Sequence, residues 1–314
     1  MKKYTIWFIV VLLSLGILFP FCFQDEIFPW ECFITLKKQT TSSASYEQLK
    51  KISKPIPPST RKPVISPRLS NAVLAIIDDT GNVFRRIKLA NRLPNNLSSA
   101  ERKALYEYLK TGINNRETHH LKNDIINALR NQLTPPVELT QCLLDIFYDE
   151  TQSITMRSYA LQHMRPWYWE ENMRDPAVKQ AFYDGLEQAD NELSGVALLA
   201  LAYLSEELPN EFDHVFIAEK AAALAQNPDT TALTRVSALD ISSRYGNTST
   251  LEVARNILKT EKGNVMLCAA ACGAIGRMGN VADLALLDQV QIMQPAIQAA
   301  ARYAEKSIRI RSKH

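Results

Sequence analysis

The stretch Arg165-Pro166-Trp167-Tyr168-Trp169-Glu170-Glu171 holds the densest set of recognition-type side chains in the chain. Flat aromatic faces bind sugars, peptides or a partner loop at small entropic cost, and flanking guanidinium and carboxylate groups orient what lies on them. Arg165, Trp167, Tyr168, Trp169 and Glu170 are therefore the candidate partner-binding residues. The same composition also suits a longer inter-helix loop whose indoles plug a gap between two neighbouring units, because a large aromatic is seldom left in water. The two readings part on whether the indoles are open or buried.

Other reactive groups are sparse. Cys268 and Cys272 stand four apart on a very apolar segment; two ligands do not make a metal site, and free cysteine packs as a small hydrophobe. Asp78-Asp79 and Glu206-Glu207 read as helix caps and solvated helix ends. There is no HExxH zinc helix, no phosphate-binding glycine loop, no dinucleotide fingerprint, no nucleophile elbow and no CxxC pair. The sequence thus predicts no catalytic set, no cofactor and no metal.

What must position these residues is helical. After Leu69, segments of helical period alternate with short breaks rich in Asn, Gly, Pro, Asp and Thr, as in 232–246, 250–260, 264–279 and 281–293. An internal period accompanies them. RSYAL at 157–161 returns as RVSAL at 235–239, and Arg244, Gly246 and Asn247 return as Arg277, Gly279 and Asn280. Weaker copies begin near Val83, Leu121, Leu193 and Ala296. Spacings of about 31–40 residues are those of two-helix repeats, whose apolar helices are stable only when stacked on neighbours. Gly246 and Gly279 fall at helix ends, where a left-handed residue closes a hairpin. Tyr183, Tyr203, Tyr245 and Tyr303 fall on helices, with core packing expected for each.

On the Arg-x-x-Ala-Leu pattern at Arg157, Ala160, Leu161 and at Arg235, Ala238, Leu239, with the Gly-Asn closures at 246–247 and 279–280, residues 69–311 resemble a HEAT-repeat protein of the short, bacterial kind. The arginine is replaced around Leu267 and Gln298, so an armadillo-like solenoid stays open. The resemblance implies an all-α fold, an α-solenoid of about six to seven helical hairpins. Some HEAT-like proteins hold two irons through His-Glu pairs; none of His119, His120, His163, His214 and His314 is followed by Glu.

Charge separates the chain into parts. Residues 1–68 carry ten Lys/Arg against four Asp/Glu, and residues 69–314 carry 26 against 29. A folded part with no basic excess does not suit nucleic acid. The five scattered cysteines form no disulfide framework. Tyr4 to Phe23 has no charged residue and is long enough to cross a bilayer, so residues 1–25 are expected to form a single transmembrane anchor. The bulky exit Phe21-Cys22-Phe23 does not suit signal cleavage, although a secreted, cleaved form is the alternative. Lys2 and Lys3 before the segment, and Asp25, Glu26 and Glu31 after it, favour a cytoplasmic N-terminus and an extracytoplasmic repeat domain. Residues 26–68, with five prolines between Pro55 and Pro67, read as an interfacial segment and a basic, semi-rigid linker.

The expectation is a non-enzymatic, membrane-tethered scaffold or adaptor that binds protein partners through a helical-repeat surface. The alternatives are an envelope ligand-binding or enzymatic solenoid that uses the 165–171 cluster, and a cytoplasmic adaptor of opposite orientation.

Overall fold

Helix starts in this chain are set by Ser, Asn, Asp and Thr side chains that accept the backbone N–H groups a first turn cannot satisfy. In the computed structural model, which describes residues 69–169, 174–188, 191–291 and 294–313, Ser98 with Glu101 and Asn115 with Thr118 form reciprocal capping boxes. Asp175, Asp213, Thr231 and Asn264 cap further helices.

Fourteen α-helices result among the described residues: α1 (Asn71–Ile77), α2 (Val83–Ala90), α3 (Ser99–Thr111), α4 (Arg116–Arg130), α5 (Glu138–Tyr148), α6 (Ile154–Trp169), α7 (Pro176–Leu186), α8 (Leu193–Glu207), α9 (His214–Gln226), α10 (Ala232–Arg244), α11 (Ser249–Thr260), α12 (Val265–Met278), α13 (Leu284–Val290) and α14 (Pro295–Arg311). No strand occurs among the described residues, so the class is all-α. The segment expected as one helix over 281–293 is divided. Asn280 and Asp283 cap each other around a short 3-10 turn, Val281–Asp283, and α13 starts only after it.

Packing follows a rule. Each odd-numbered helix pairs with the even-numbered one after it, from α1 with α2 to α13 with α14. The even helices α2, α4, α6, α8, α10, α12 and α14 also pack each on the next in one unbroken rank. The odd helices pack likewise from α1 through α3 and α5 to α7, and from α9 through α11 to α13. All lie in one compact unit, Ser66–His314. The core lies between and within these ranks, with Leu121, Ile125, Phe147, Leu161, Leu201, Leu239, Ile257 and Ile275 among its fully buried side chains.

One contact recurs inside the hairpins. Arg86 on α2, Arg157 on α6 and Arg235 on α10 each donate Nε–H to the carbonyl ten residues upstream, that of Ile76, Phe147 and Ala225, at 2.8, 2.8 and 3.2 Å. Lys122 on α4 takes the same position and donates Nζ–H to the Gly112 carbonyl at 2.9 Å. Those carbonyls belong to the last turns of the odd helices, where no intrahelical donor remains and the helix dipole favours a cation. The second arm reaches on: Arg157 Nη2 donates to Gln188 in the next hairpin at 3.3 Å, and Arg235 forms a two-pronged pair with Glu261 at 2.8 and 3.0 Å. In the odd rank Arg255 of α11 grips buried Asp283 ahead of α13 in the same forked way, at 2.6 and 2.9 Å.

Two glycines have distinct reasons. Gly246 has φ +75°, and Asn247 N and Gly246 N donate to the Ser242 and Ser243 carbonyls at 3.0 and 3.2 Å, which closes α10 as a left-handed cap. Gly279, expected to do the same for α12, has φ −69° instead. A side chain there would press on the Ile275 carbonyl and on Asp283, the carboxylate that caps the 3-10 turn. Gly276 lets α12 and α14 touch: a Cβ would lie 2.8 Å from the Ala304 Cα.

No helix among the described residues is long and apolar enough to cross a membrane. The anchor expected at residues 1–25 and the linker at 26–68 lie outside the described residues.

Removing a buried donor leaves a helix-end carbonyl unpaired. Arg157→Leu is expected to lower unfolding free energy by about 2–3 kcal/mol. By contrast Arg244→Ala, which loses exposed pairs with Glu206 and Asp240 and a contact with the Tyr245 ring, is expected to cost about 0–1 kcal/mol. Urea titration of the two variants checks the order; equal losses would remove the special role of the buried cation.

Candidate functional site

The 165–169 segment is helix, not loop. It forms the last turns of α6, which runs through Pro166 to Trp169. A proline inside a helix removes one N–H donor, so packing around α6 must hold the turn. Trp167 is 1% exposed and its Nε1–H donates to the Thr140 Oγ1 of α5 at 2.6 Å. Tyr168 is 4% exposed and lies edge-on to Phe182 of α7 and to Phe212 beyond α8, with ring centres 6.4 and 5.6 Å away. The Tyr168 hydroxyl donates to Glu211 at 3.0 Å, and burial with this carboxylate pushes its pKa up to about 12. Glu211 also pairs with Arg174 at 2.6 Å, and its carbonyl accepts from Lys179 at 2.7 Å. The Arg165 guanidinium lies over the Tyr203 ring of α8 at 4.6 Å. The Trp169 side chain and Glu170 lie outside the described residues. The indole of Trp167 and the ring of Tyr168 thus fill the space where α5, α6, α7 and the α8–α9 turn meet, and present no open face.

One turn earlier, His163 locks α6 to α4. Arg130 Nη1 lies 3.3 Å from His163 Nδ1. A guanidinium only donates, so Nδ1 accepts and the ring proton sits on Nε2, which donates to Asn123 Oδ1 at 2.9 Å. Burial, then the nearby Arg130 and Arg165, pushes the pKa of His163 well below the usual range and keeps the ring neutral.

The described residues hold one pair that sequence reading passed over. Ser153 Oγ lies 3.0 Å from His119 Nε2, a spacing that suits a nucleophile and its base. Two side-chain amides decide against that role. Gln152 Nε2 donates to the Lys110 carbonyl at 2.9 Å, so its oxygen faces Asn114 Nδ2, which donates at 3.1 Å; Asn114 Oδ1 then faces His119 Nε2 at 2.9 Å. Nε2 must therefore carry the ring proton and cannot take one from Ser153. The Ser153 hydroxyl instead accepts from Met156 N at 3.2 Å and caps α6. The arrangement ties two neighbouring hairpin turns together.

The remaining candidates are structural in the same sense. Cys268 and Cys272 are buried in α12, where burial raises both thiols, Cys272 to about 12. Asp78 accepts from Thr80 N and Oγ1 at 3.0 and 2.7 Å, and Asp149 from Thr151 N and Oγ1 at 3.0 and 2.6 Å, two identical turns. Asp79 is more than a solvated helix end: it pairs with Arg86 at 3.0 Å and accepts from Tyr108 at 2.9 Å. Glu206 pairs with Arg244 on the surface. Tyr245 bonds the Ala202 carbonyl at 3.0 Å, whereas Tyr303, expected in the core, is exposed on α14. Lys122 is fully buried, and that burial pushes its pKa down to about 8 against the pull of Asp79.

The signal that reveals the cation row is the eight-residue step from turn aspartate to arginine, Asp78 to Arg86 and Asp149 to Arg157. Asn227 to Arg235 and Asn114 to Lys122 follow the same step with an amide in place of the acid. Comparison with protein-family models, with curated proteins and with solved structures finds no match to this chain.

Truncating Trp167 to Ala is expected to cost about 3–5 kcal/mol of stability, because the cavity cannot collapse between four elements. A thermal melt of the variant that overlays the parent would show the indole to be dispensable.

Stability should also fall with acid in a window belonging to histidine. His163 and, less buried, His119 both have lowered folded pKa values, so the unfolded chain binds their protons first. Their contribution is complete above about pH 6.5 and is lost below it, at up to about 1.4 kcal/mol per pH unit for each ring. Urea midpoints from pH 7 to pH 5, above the range where carboxylates titrate, are expected to decline, and His163→Gln is expected to flatten most of that slope.

Proposed function

We propose that the chain is a membrane-tethered scaffold: a HEAT-like α-solenoid of seven hairpins, held by the Tyr4–Phe23 segment through the proline-rich linker, that binds other proteins along the stack. What supports the solenoid reading is the unbroken even rank, in which hairpins meet mainly their neighbours, with a buried cation repeated at one position of the turn. The same regularity makes the surface extended and stiff, which suits partner binding at small ordering cost.

The observation that carries the interaction reading is a set of exposed apolar side chains that recurs after even helices. Leu133 and Val137, 73% and 70% exposed, follow α4; Val215 follows α8; Val281 follows α12. Such residues scattered singly are ordinary. These recur after every second even helix: in the α4–α5 connection, in the first turn of α9 and in the 3-10 turn after α12. Trp167 and Tyr168 serve in this reading as the internal brace that holds the middle hairpins in register. The reading of an envelope enzyme or ligand-binding solenoid built on the 165–171 cluster loses its aromatic platform with their burial.

The test is chemical cross-linking of the full chain in its native membrane, followed by mass spectrometry of what is captured. The double variant Leu133→Glu, Val137→Glu is expected to lose the partner that the parent captures, while its melt stays within about 0.5 kcal/mol of the parent. Identical capture by both chains, or capture no different from that of residues 1–68 alone, would sink the proposal.

A further inference from the structure

The last helix presents a face that nothing in the stack uses. Arg302, Lys306 and Arg309 follow at helical spacing along α14, and Lys313, in the turn just after it, continues their line on one surface. All four are exposed. Arg302, Lys306 and Lys313 have no ion-pair partner among the described residues, and Arg309 alone is paired, with Glu305 at 2.7 Å. Exposed Ile310 and Tyr303 stand along the edge of the stripe.

The opposite side of α14 is fixed. Ala304 lies against Gly276 of α12 at backbone contact. Arg311 points away from the stripe and donates Nη2–H to the Gly279 carbonyl at 2.8 Å and Nη1–H to that of Gly276, capping α12. Arg302, Lys306 and Arg309 are thus held in line on a helix that cannot roll.

Charge is also segregated. Residues 295–314 carry five Lys/Arg against one Glu, and residues 69–294 carry 21 against 28. Facing a negatively charged plane, the domain is attracted through α14 and repelled through the remainder, so its orientation is set by its own field.

We infer that the exposed face of α14 is a docking surface for an anionic lipid bilayer, a second membrane contact besides the tether. The inference rests on the membrane reading of the Tyr4–Phe23 segment, which brings a bilayer within reach. The occupant is a lipid surface because the cations follow one another along α14 and the turn after it, around a hollow too open to select a shape, and an aromatic and a branched apolar side chain lie beside them.

The test reconstitutes the full chain with vesicles of phosphatidylcholine alone and of phosphatidylcholine mixed with phosphatidylglycerol, and follows Lys306 and Lys313 by amine-reactive footprinting with mass spectrometry. Both lysines are expected to react about ten-fold more slowly on the anionic vesicles, and about 0.5 M salt is expected to abolish the difference. Equal reactivity on the two vesicles overturns the inference. Protection that appears only when membrane proteins are added overturns it too, and assigns the stripe to an acidic protein. Co-flotation separates this inference from the tether: a chain that floats with both vesicles but shows no protection keeps the tether and loses the stripe. A chain that floats only with anionic vesicles, its lysines protected, keeps the stripe and loses the tether.

Discussion

A helix that ends inside a packed stack leaves carbonyls with no donor, and a stack of hairpins repeats that problem at every turn. This chain meets it with a buried cation eight residues after the turn begins. Arg86, Arg157, Arg235 and Lys122 each cover a carbonyl at the C-terminal end of the preceding helix. Because the fork of an arginine has donors to spare, Arg157 and Arg235 extend the bond to the next hairpin, and one residue serves both the turn and the stacking. Lys122 has a single nitrogen and no fork, and its lowered pKa shows what burying a point charge there costs. The Tyr108 ring beneath it, at 5.8 Å, and the Asp79 carboxylate supply part of the compensation.

The middle of the stack depends on α6 in a similar way. Nearly every side of that helix is buried, and four of its polar side chains tie it to its neighbours: Arg157 to a carbonyl, His163 to Arg130 and Asn123, Trp167 to Thr140, Tyr168 to Glu211. These bonds run to α4, α5 and the α8–α9 turn, so α6 couples hairpins on both sides of itself. Alanine and glycine perform the task farther along, where Gly276 and Ala304 let backbones touch.

Legibility in the sequence follows from this division of labour. The segments read as repeat copies, near Val83, Leu121, Arg157, Leu193, Arg235, Arg277 and Ala296, lie on even helices. Even helices carry the arginine and the small residues that recur, because they are packed on both sides; odd helices vary, and α1 and α13 are only two turns long. The helical nature of 165–169 was hidden because proline is locally a breaker, and only the packing of Trp167 and Tyr168 overrides it. The cation row was half visible: two of its members share Arg-x-x-Ala-Leu, but Lys122 changes the residue type, and the matching turns at Asp78 and Asp149 lie 71 residues apart, beyond the single-repeat period.

Nearest-neighbour stacking has a consequence at its ends. An internal even helix is covered on two sides by the ranks before and after it; among the described residues no helix packs on the far side of α14, and a face that meets only water can take any residue that keeps the chain soluble. Solubility alone asks for mixed charge. What stands there is four cations in line with one acid, on a domain whose remainder is acidic. A face built only for solvation would gain nothing from excluding carboxylates, whereas a surface meant to meet negative charge must keep them few. The composition of that face is therefore set by something outside the stack, while the composition of the cation row within it is set by the carbonyls the stack itself leaves unpaired.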